Sequence, residues 1–291
     1  MQNNIFAFPM VYIINMRERT ERKEKMTILM NKIGITEYEF IEPVKITDET
    51  IPEEYAKNRM NKGNTSLNLT ILTKLYPKIR GNLKKRDFII MEDDIMTMMP
   101  EENVKTYILE LLREVPDNWN MIYLEYCLEM CSLGETVTNT NKLKKAFKPY
   151  CAAAILFRYD TMDKVEKCIE TKKKPLSFTY TSCIYNKELI AYIATPPIFA
   201  QDVLMQGDIE HTASPLGIHF YLNRILKMYD VNATGSTVSK PRLPHCMDSR
   251  ETLTYIRWGN VGGALVGFLF LLWFYRYIKK NKNYFYRFVR L

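Results

Sequence analysis

The densest concentration of reactive groups lies in eight residues, Asp87-Phe88-Ile89-Ile90-Met91-Glu92-Asp93-Asp94. Four apolar residues run straight into three carboxylates. The apolar run predicts a strand buried on both faces. The acids then fall at the strand's end, where open α/β sheets bind ligands. Adjacent carboxylates repel one another, and burying them costs free energy unless a counter-charge is present. Oxygen ligands of this kind suit a divalent cation, Mg²⁺ or Mn²⁺. Side chains alternate along a strand, so Glu92 and Asp94 share a side. Asp94 is the expected metal ligand and Asp93 the competing one. The plainer alternative is a solvated turn leading into the helix that starts near Pro100.

Other groups cluster at predicted strand ends. The run 11–15 reads as the first strand, closed by Asn15 and followed by Arg17, Arg19 and Arg22. A guanidinium there could grip a diphosphate through two parallel hydrogen bonds. Ordinary charge on a helix surface is the alternative, and for Arg22 both readings stand. Asn15 could hold a ligand or cap the turn. Residues 119–124 predict another strand, ending at Glu125, and the segment Pro196 to Asp202 closes on Gln201 and Asp202. Glu125 is the first candidate general base and Asp202 the second. His211, His219 and His245 have no partner spacing and read as surface residues.

The elements that must position these groups follow from periodicity. Met26, Leu29, Met30 and Ile33 recur at helical spacing, with Gly34 as a stop. A strand is expected over 38–41, so the chain opens as strand, helix, strand. Residues 45–62 read as irregular, 63–79 as a helix, and Pro100 to Glu114 as a strongly amphipathic helix. Residues 132–145 read as a polar loop, 152–157 as a strand and 160–169 as a helix. The whole predicts an α/β domain with a mostly parallel sheet.

The chain has 291 residues, 47% of them hydrophobic, enough for one large domain with its own core. Of the net charge of +8, six charges lie after Tyr275, at Arg276, Lys279, Lys280, Lys282, Arg287 and Arg290, leaving +2 for the rest. A nearly neutral domain argues against nucleic acid as a partner. Residues 261–275 carry no charge, and with Trp258 and Ile278 the run reaches bilayer-spanning length. Trp258, Trp273, Tyr275 and Tyr277 flank it as an aromatic belt. The expected organisation is a domain over 1–206, a stem over 207–257, a transmembrane helix over 258–278 and a basic tail over 279–291. The lipid bilayer is thus an expected partner, with a single pass near the C-terminus. The opening residues lack the features of a cleaved signal peptide. This tilts the expected orientation toward a cytosolic catalytic domain, whereas the basic tail by itself favours the opposite. The six cysteines show no metal-site spacing and are expected to be buried free thiols.

In order, the stretches 11–22, 63–72, Glu92-Asp93-Asp94, 119–124 and 196–202 resemble glycosyltransferase family 25, which contains lipooligosaccharide and procollagen galactosyltransferases. The resemblance covers about residues 10–205. It implies a GT-A-like nucleotide-sugar-binding domain and a metal-dependent, inverting hexosyltransferase. The donor would be a nucleotide-diphosphate sugar, a UDP-sugar carrying galactose or glucose, and the acceptor a hydroxyl of a glycan or protein. On this reading Asn15, Arg17, Arg19, Glu92 and Gln201 contact the donor. The sequence departs from the family pattern at Ser66, Leu67, Thr70, Ile71, Asn120 and Cys151-Ala152-Ala153, and after Pro175, where Leu176-Ser177-Phe178-Thr179-Tyr180 lacks the family's Asp. These departures sustain an alternative, a degenerate relative that binds sugars or acts as a scaffold.

Overall fold

The computed structural model describes residues 7–58, 60–138, 140–201 and 246. The strands are β1 (Met10–Ile14), β2 (Tyr38–Ile41), β3 (Phe88–Glu92), β4 (Ile95–Thr97), β5 (Met121–Tyr123), β6 (Leu143–Lys145), β7 (Ala154–Phe157), β8 (Ala191–Ala194) and β9 (Phe199–Gln201). The helices are α1 (Thr20–Lys32), α2 (Glu53–Ala56), α3 (Lys62–Thr70), α4 (Tyr76–Gly81), α5 (Glu101–Glu114), α6 (Met162–Lys172) and α7 (Leu176–Tyr185). A π-helical turn, Ile71–Leu75, joins α3 to α4.

Seven strands form one sheet in the order β2-β1-β3-β7-β5-β8-β6. From the pairings, β2, β1, β3, β5 and β8 run one way, and β7 and β6 run against them. The sheet is therefore mixed, with parallel strands in the majority. A second, two-stranded sheet pairs β4 with β9.

Alternation along the strands divides the core into two layers. Tyr12, Phe88, Ile90, Tyr123 and Phe157 face the side covered by Ile71, Leu75, Tyr76, Ile169, Tyr180 and Cys183. Val11, Ile13, Ile89, Met91 and Ile122 face the side covered by Met26 and Met30 of α1 and Val104, Ile108 and Leu111 of α5. Phe88 stacks on Phe157 across the β3–β7 pair, centroids 5.4 Å apart. Helices on both faces bury the central strands, which is why β1 and β3 carry almost no polar residue.

Several expectations change. The stretch 132–145 ends in β6, an edge strand that pairs with β8. Its apolar anchor, Leu143, is fully buried. The helix α7 and the small β4–β9 sheet have no clear periodic signal in the sequence. The cysteines are not free thiols: Cys127–Cys151, Cys131–Cys246 and Cys168–Cys183 are disulfides. No repeated spacing announces these pairs, because partners are brought together by folding. The second bridge spans 115 residues and ties Cys246, within the expected stem, back to the domain. Chain contacts group residues Met1–Met247 into one unit. Among the described residues no helix is long and apolar enough to cross a membrane. The rest of the stem, the span over 258–278, the basic tail and the three histidines lie outside the described residues.

Candidate active site

β1, β3 and β5 run in the same direction, so their carboxyl ends share one edge of the sheet. Asn15, Glu92 and Glu125 lie at or just beyond those ends. β7 runs the other way, so its start, at Ala153 and Ala154, meets the same edge. The amide of Glu92 donates to the carbonyl of Ala153 at 2.8 Å. The amide of Ala153 donates to Oε2 of Glu125 at 3.1 Å.

The three consecutive acids have different surroundings. Asp93 points to the α1 side of the sheet, where its oxygens accept from Asn15 Nδ2 at 2.6 Å and from Arg22 Nη1 at 2.8 Å. Both side chains of the Arg22–Asp93 ion pair are buried. Asn15 also donates to the carbonyl of Arg19 at 3.3 Å, fixing the turn after β1. Strand alternation sends Glu92 to the other face. There the amide of Gln201, at the end of β9, donates to Glu92 Oε2 at 3.3 Å and to Asp94 Oδ2 at 3.1 Å. The other oxygen of Asp94, Oδ1, is buried without a hydrogen-bond partner.

Electrostatics follow from this geometry. Desolvation, then repulsion from Asp94 and Glu125, raises the Glu92 carboxyl well above the ordinary range. Desolvation also raises Asp94, opposed by the hydrogen bond from Gln201. Burial pushes Glu125 up to about 8, against the hydrogen bond from Ala153. Arg22 is the cation that lowers both Glu92 and Asp94, and it is already spent on Asp93. Among the described residues the cluster is thus short of positive charge.

A divalent cation fits that shortage. Asp94 offers a buried, unpartnered oxygen facing other carboxylates, and Glu92 lies beside it. Asp93 is compensated within the protein and supplies the weaker donor. The acids do not form a closed three-carboxylate cage: among the described residues, the only three-ligand grouping is Cys168, Cys183 and Glu188, two of which form a disulfide. A cation at Asp94 would therefore need oxygens from a ligand or from water, as Mg²⁺ sites commonly use.

The structure brings together Asn15, Glu92, Asp93, Asp94, Glu125 and Gln201 from distant parts of the sequence. Arg17 is exposed on the turn after β1, and Arg19 is half-buried there. Asp202 lies outside the described residues. Two contributions go beyond the sequence reading. Arg22 is neither a surface charge nor free to grip a diphosphate, because it is buried against Asp93. The signal was present: it lies at helical spacing with Met26 and Met30, so it faces inward and needs a buried acid. The Ala153 amide has no sequence signal, because a backbone donor depends only on strand placement.

No protein-family model and no curated protein matches the sequence. Solved structures with some likeness include an apo UDP-glucose pyrophosphorylase, 11% identical with a TM-score of 0.35 over 64% of this chain and 73% of that one. Another is a glycosyltransferase involved in glycosylation of the major capsid of PBCV-1, 12% identical with a TM-score of 0.29 over 57% and 67%. A third is a mannose-1-phosphate geranyltransferase from Thermus thermophilus, 9% identical with a TM-score of 0.33 over 64% and 73%. Scores this low decide nothing about the chemistry of this chain.

Proposed function

We propose that this protein is a metal-dependent glycosyltransferase that moves a hexose from a UDP-sugar to a hydroxyl of a glycan or protein. The observation that carries the reading is the cation-deficient cluster of Glu92, Asp94 and Glu125 at the carboxyl edge of the sheet, with Asp94 Oδ1 unpartnered. The ordered resemblance to glycosyltransferase family 25, whose motifs include Glu-Asp-Asp, supports the reading. Asp94 would hold the cation, with Glu92 beside it. The cation, when bound, neutralises charge on the leaving diphosphate. Asn15 and Arg22 fix Asp93, which holds the turn between β3 and β4 and so aims Asp94. Gln201 orients both Glu92 and Asp94. Glu125, favoured as the carboxylate by the Ala153 amide and by the nearby cation when bound, would be the base. As the acceptor oxygen bonds to the anomeric carbon, its proton passes to Glu125. The bond from that carbon to the diphosphate oxygen breaks, and its electron pair leaves with the diphosphate.

The test is a screen of nucleotide sugars with Mn²⁺ or Mg²⁺, reading release of the nucleoside diphosphate. The wild type should turn over one donor, and excess chelator should abolish turnover. Asp94→Asn should lower the rate by at least about a hundredfold, the scale of losing one electrostatic stabiliser. Undiminished turnover in chelator or in this variant would rule out the cation at Asp94.

We further propose that the domain folds in an oxidising compartment and is held to a membrane by the span over 258–278. Three disulfides using all six cysteines support the first part, since such bridges persist outside the reducing cytosol. The basic tail would then stay on the cytosolic side, as positive flanks do. This orientation reverses the cytosolic placement favoured from the sequence. Protease protection in sealed vesicles should shield the domain and leave the tail accessible; the opposite pattern would overturn it.

A further inference from the structure

Outside the acid cluster, the described surface carries an organised aromatic feature on α7. Among the described residues, the exposed large hydrophobic side chains are Met16, Ile28, Leu83, Leu133, Phe178 and Tyr185. Only Phe178 and Tyr185 share one helix. They lie seven residues apart on α7, on one face and roughly 10.5 Å apart along the axis. Each has an aromatic neighbour from the segment just before β7. Tyr150 meets Phe178 edge-on with centroids 5.6 Å apart, and Phe147 meets Tyr185 likewise at 5.7 Å. The ammonium of Lys148 lies 5.5 Å from the Tyr185 ring centre. The hydroxyl of Thr181 donates to the carbonyl of Pro149, pinning the segment to the helix. The shelf is therefore built on a fixed frame.

Its position relates it to the active edge. Tyr150 pairs with Cys127 in an antiparallel bridge, and the Cys127–Cys151 disulfide reinforces that contact. Tyr150 is three residues before Ala153, whose amide holds Glu125, so the two lie within roughly 10 Å. Glu125 lies close enough to Glu92 to raise its carboxyl, and Glu92 continues the face of Phe88 and Ile90, the layer that α7 covers through Tyr180 and Cys183.

We propose that this shelf binds the acceptor as a chain of pyranose rings. The sugar nearest the reacting hydroxyl would sit by Glu125, the next over Tyr150 and Phe178, and the following one over Phe147 and Tyr185. Pyranoses present apolar C–H faces edged with hydroxyls. Four aromatic rings, with hydroxyls on Tyr150 and Tyr185 and the ammonium of Lys148 beside them, match both parts. The inference rests on the glycosyltransferase reading and names its acceptor class as a glycan.

The test separates the two. Binding of maltotriose, cellotriose and a galactotriose, with matching monosaccharides, is measured by saturation-transfer NMR and calorimetry. The full chain is kept in a non-glycosidic detergent, without nucleotide or metal. The wild type should bind one triose more tightly than its monosaccharide. Phe178→Ala and Tyr185→Ala should each weaken the triose by about five- to tenfold, the scale of one aromatic contact. Phe178→Trp should retain binding and Phe178→Leu should lose it, with melting temperatures unchanged throughout. UDP binding with Mn²⁺, measured separately, should be unaltered in every variant. If no triose binds the wild type, or if the alanine variants bind equally well, the shelf is not an acceptor site. Failure of UDP to bind the wild type would instead count against the donor reading.

Discussion

At the scale of single residues, consecutive acids do different work. Asp93 is a structural anion, because Asn15 and Arg22 compensate it. Arg22→Met would leave Asp93 buried beside Asn15 without its ion partner. The expected cost is about 3–5 kcal/mol in urea unfolding, and Arg22→Met with Asp93→Leu should recover part of it. Equal stability of Arg22→Met and wild type would mean the pair contributes nothing. Glu125 behaves differently. Its folded value near 8 lies above the unfolded value of 4.5, so the native state holds a proton that the unfolded chain has released. Between those values, stability must fall as pH rises. Below both, the contribution is fully present. The metal-free protein should therefore be more stable at pH 5 than at pH 8. Glu125→Gln should flatten the slope, and Mn²⁺ should restore stability at pH 8. A flat wild-type profile would show that burial does not raise the Glu125 carboxyl.

Among the elements, the edge strand β6 leaves no room for a side chain at Gly134, in the loop that precedes it. A Cβ added at Gly134 would come within 2.7 Å of the Lys145 carbonyl, which is backbone and cannot swing away. Gly134→Ala should cost about 1–3 kcal/mol, the scale of overpacking. Gly81→Ala, at the end of α4 with nothing within 4 Å, should be neutral or slightly stabilising. Matching thermal unfolding curves for the two variants would contradict this. The departures from the family pattern also acquire roles at this scale. Ser66 donates to the carbonyl of Val44 and Thr70 accepts from the Val44 amide, so α3 clamps the segment after β2. Asn120 accepts from the Ile190 amide at 2.6 Å, fixing the approach of β8 to β5. Polar residues there serve the scaffold, and their replacement leaves the acid cluster intact.

For the whole molecule, the disulfides decide how far the domain reaches. Cys131–Cys246 closes a loop with a sequence separation of 115, and chain entropy alone assigns it about 4–5 kcal/mol. Cys127–Cys151 closes a separation of 24 and should contribute less, about 3 kcal/mol. Cys131→Ser with Cys246→Ser should therefore lower stability more than Cys127→Ser with Cys151→Ser. The measurement is chemical unfolding under non-reducing conditions. The reverse order would show that strain or residual structure, not loop closure, governs these bridges.

What the sequence by itself determined is local and periodic. The apolar run before Glu92, the amphipathic stripe of α5 and the strand–helix–strand opening are each written in consecutive residues. So is the placement of acids at the end of β3, because a buried strand must stop where charge begins. The division of labour between Asp93 and Asp94 was not legible. It depends on Arg22 arriving from α1 and Gln201 from β9, at sequence separations of 71 and 107. Strand direction was equally hidden, since an apolar run reads the same either way. The reversal of β7 brings the Ala153 amide to Glu125, and the tertiary structure alone decided it. Cysteine pairing likewise followed from proximity after folding, as with α7 and the segment before β7 that together carry the aromatic shelf.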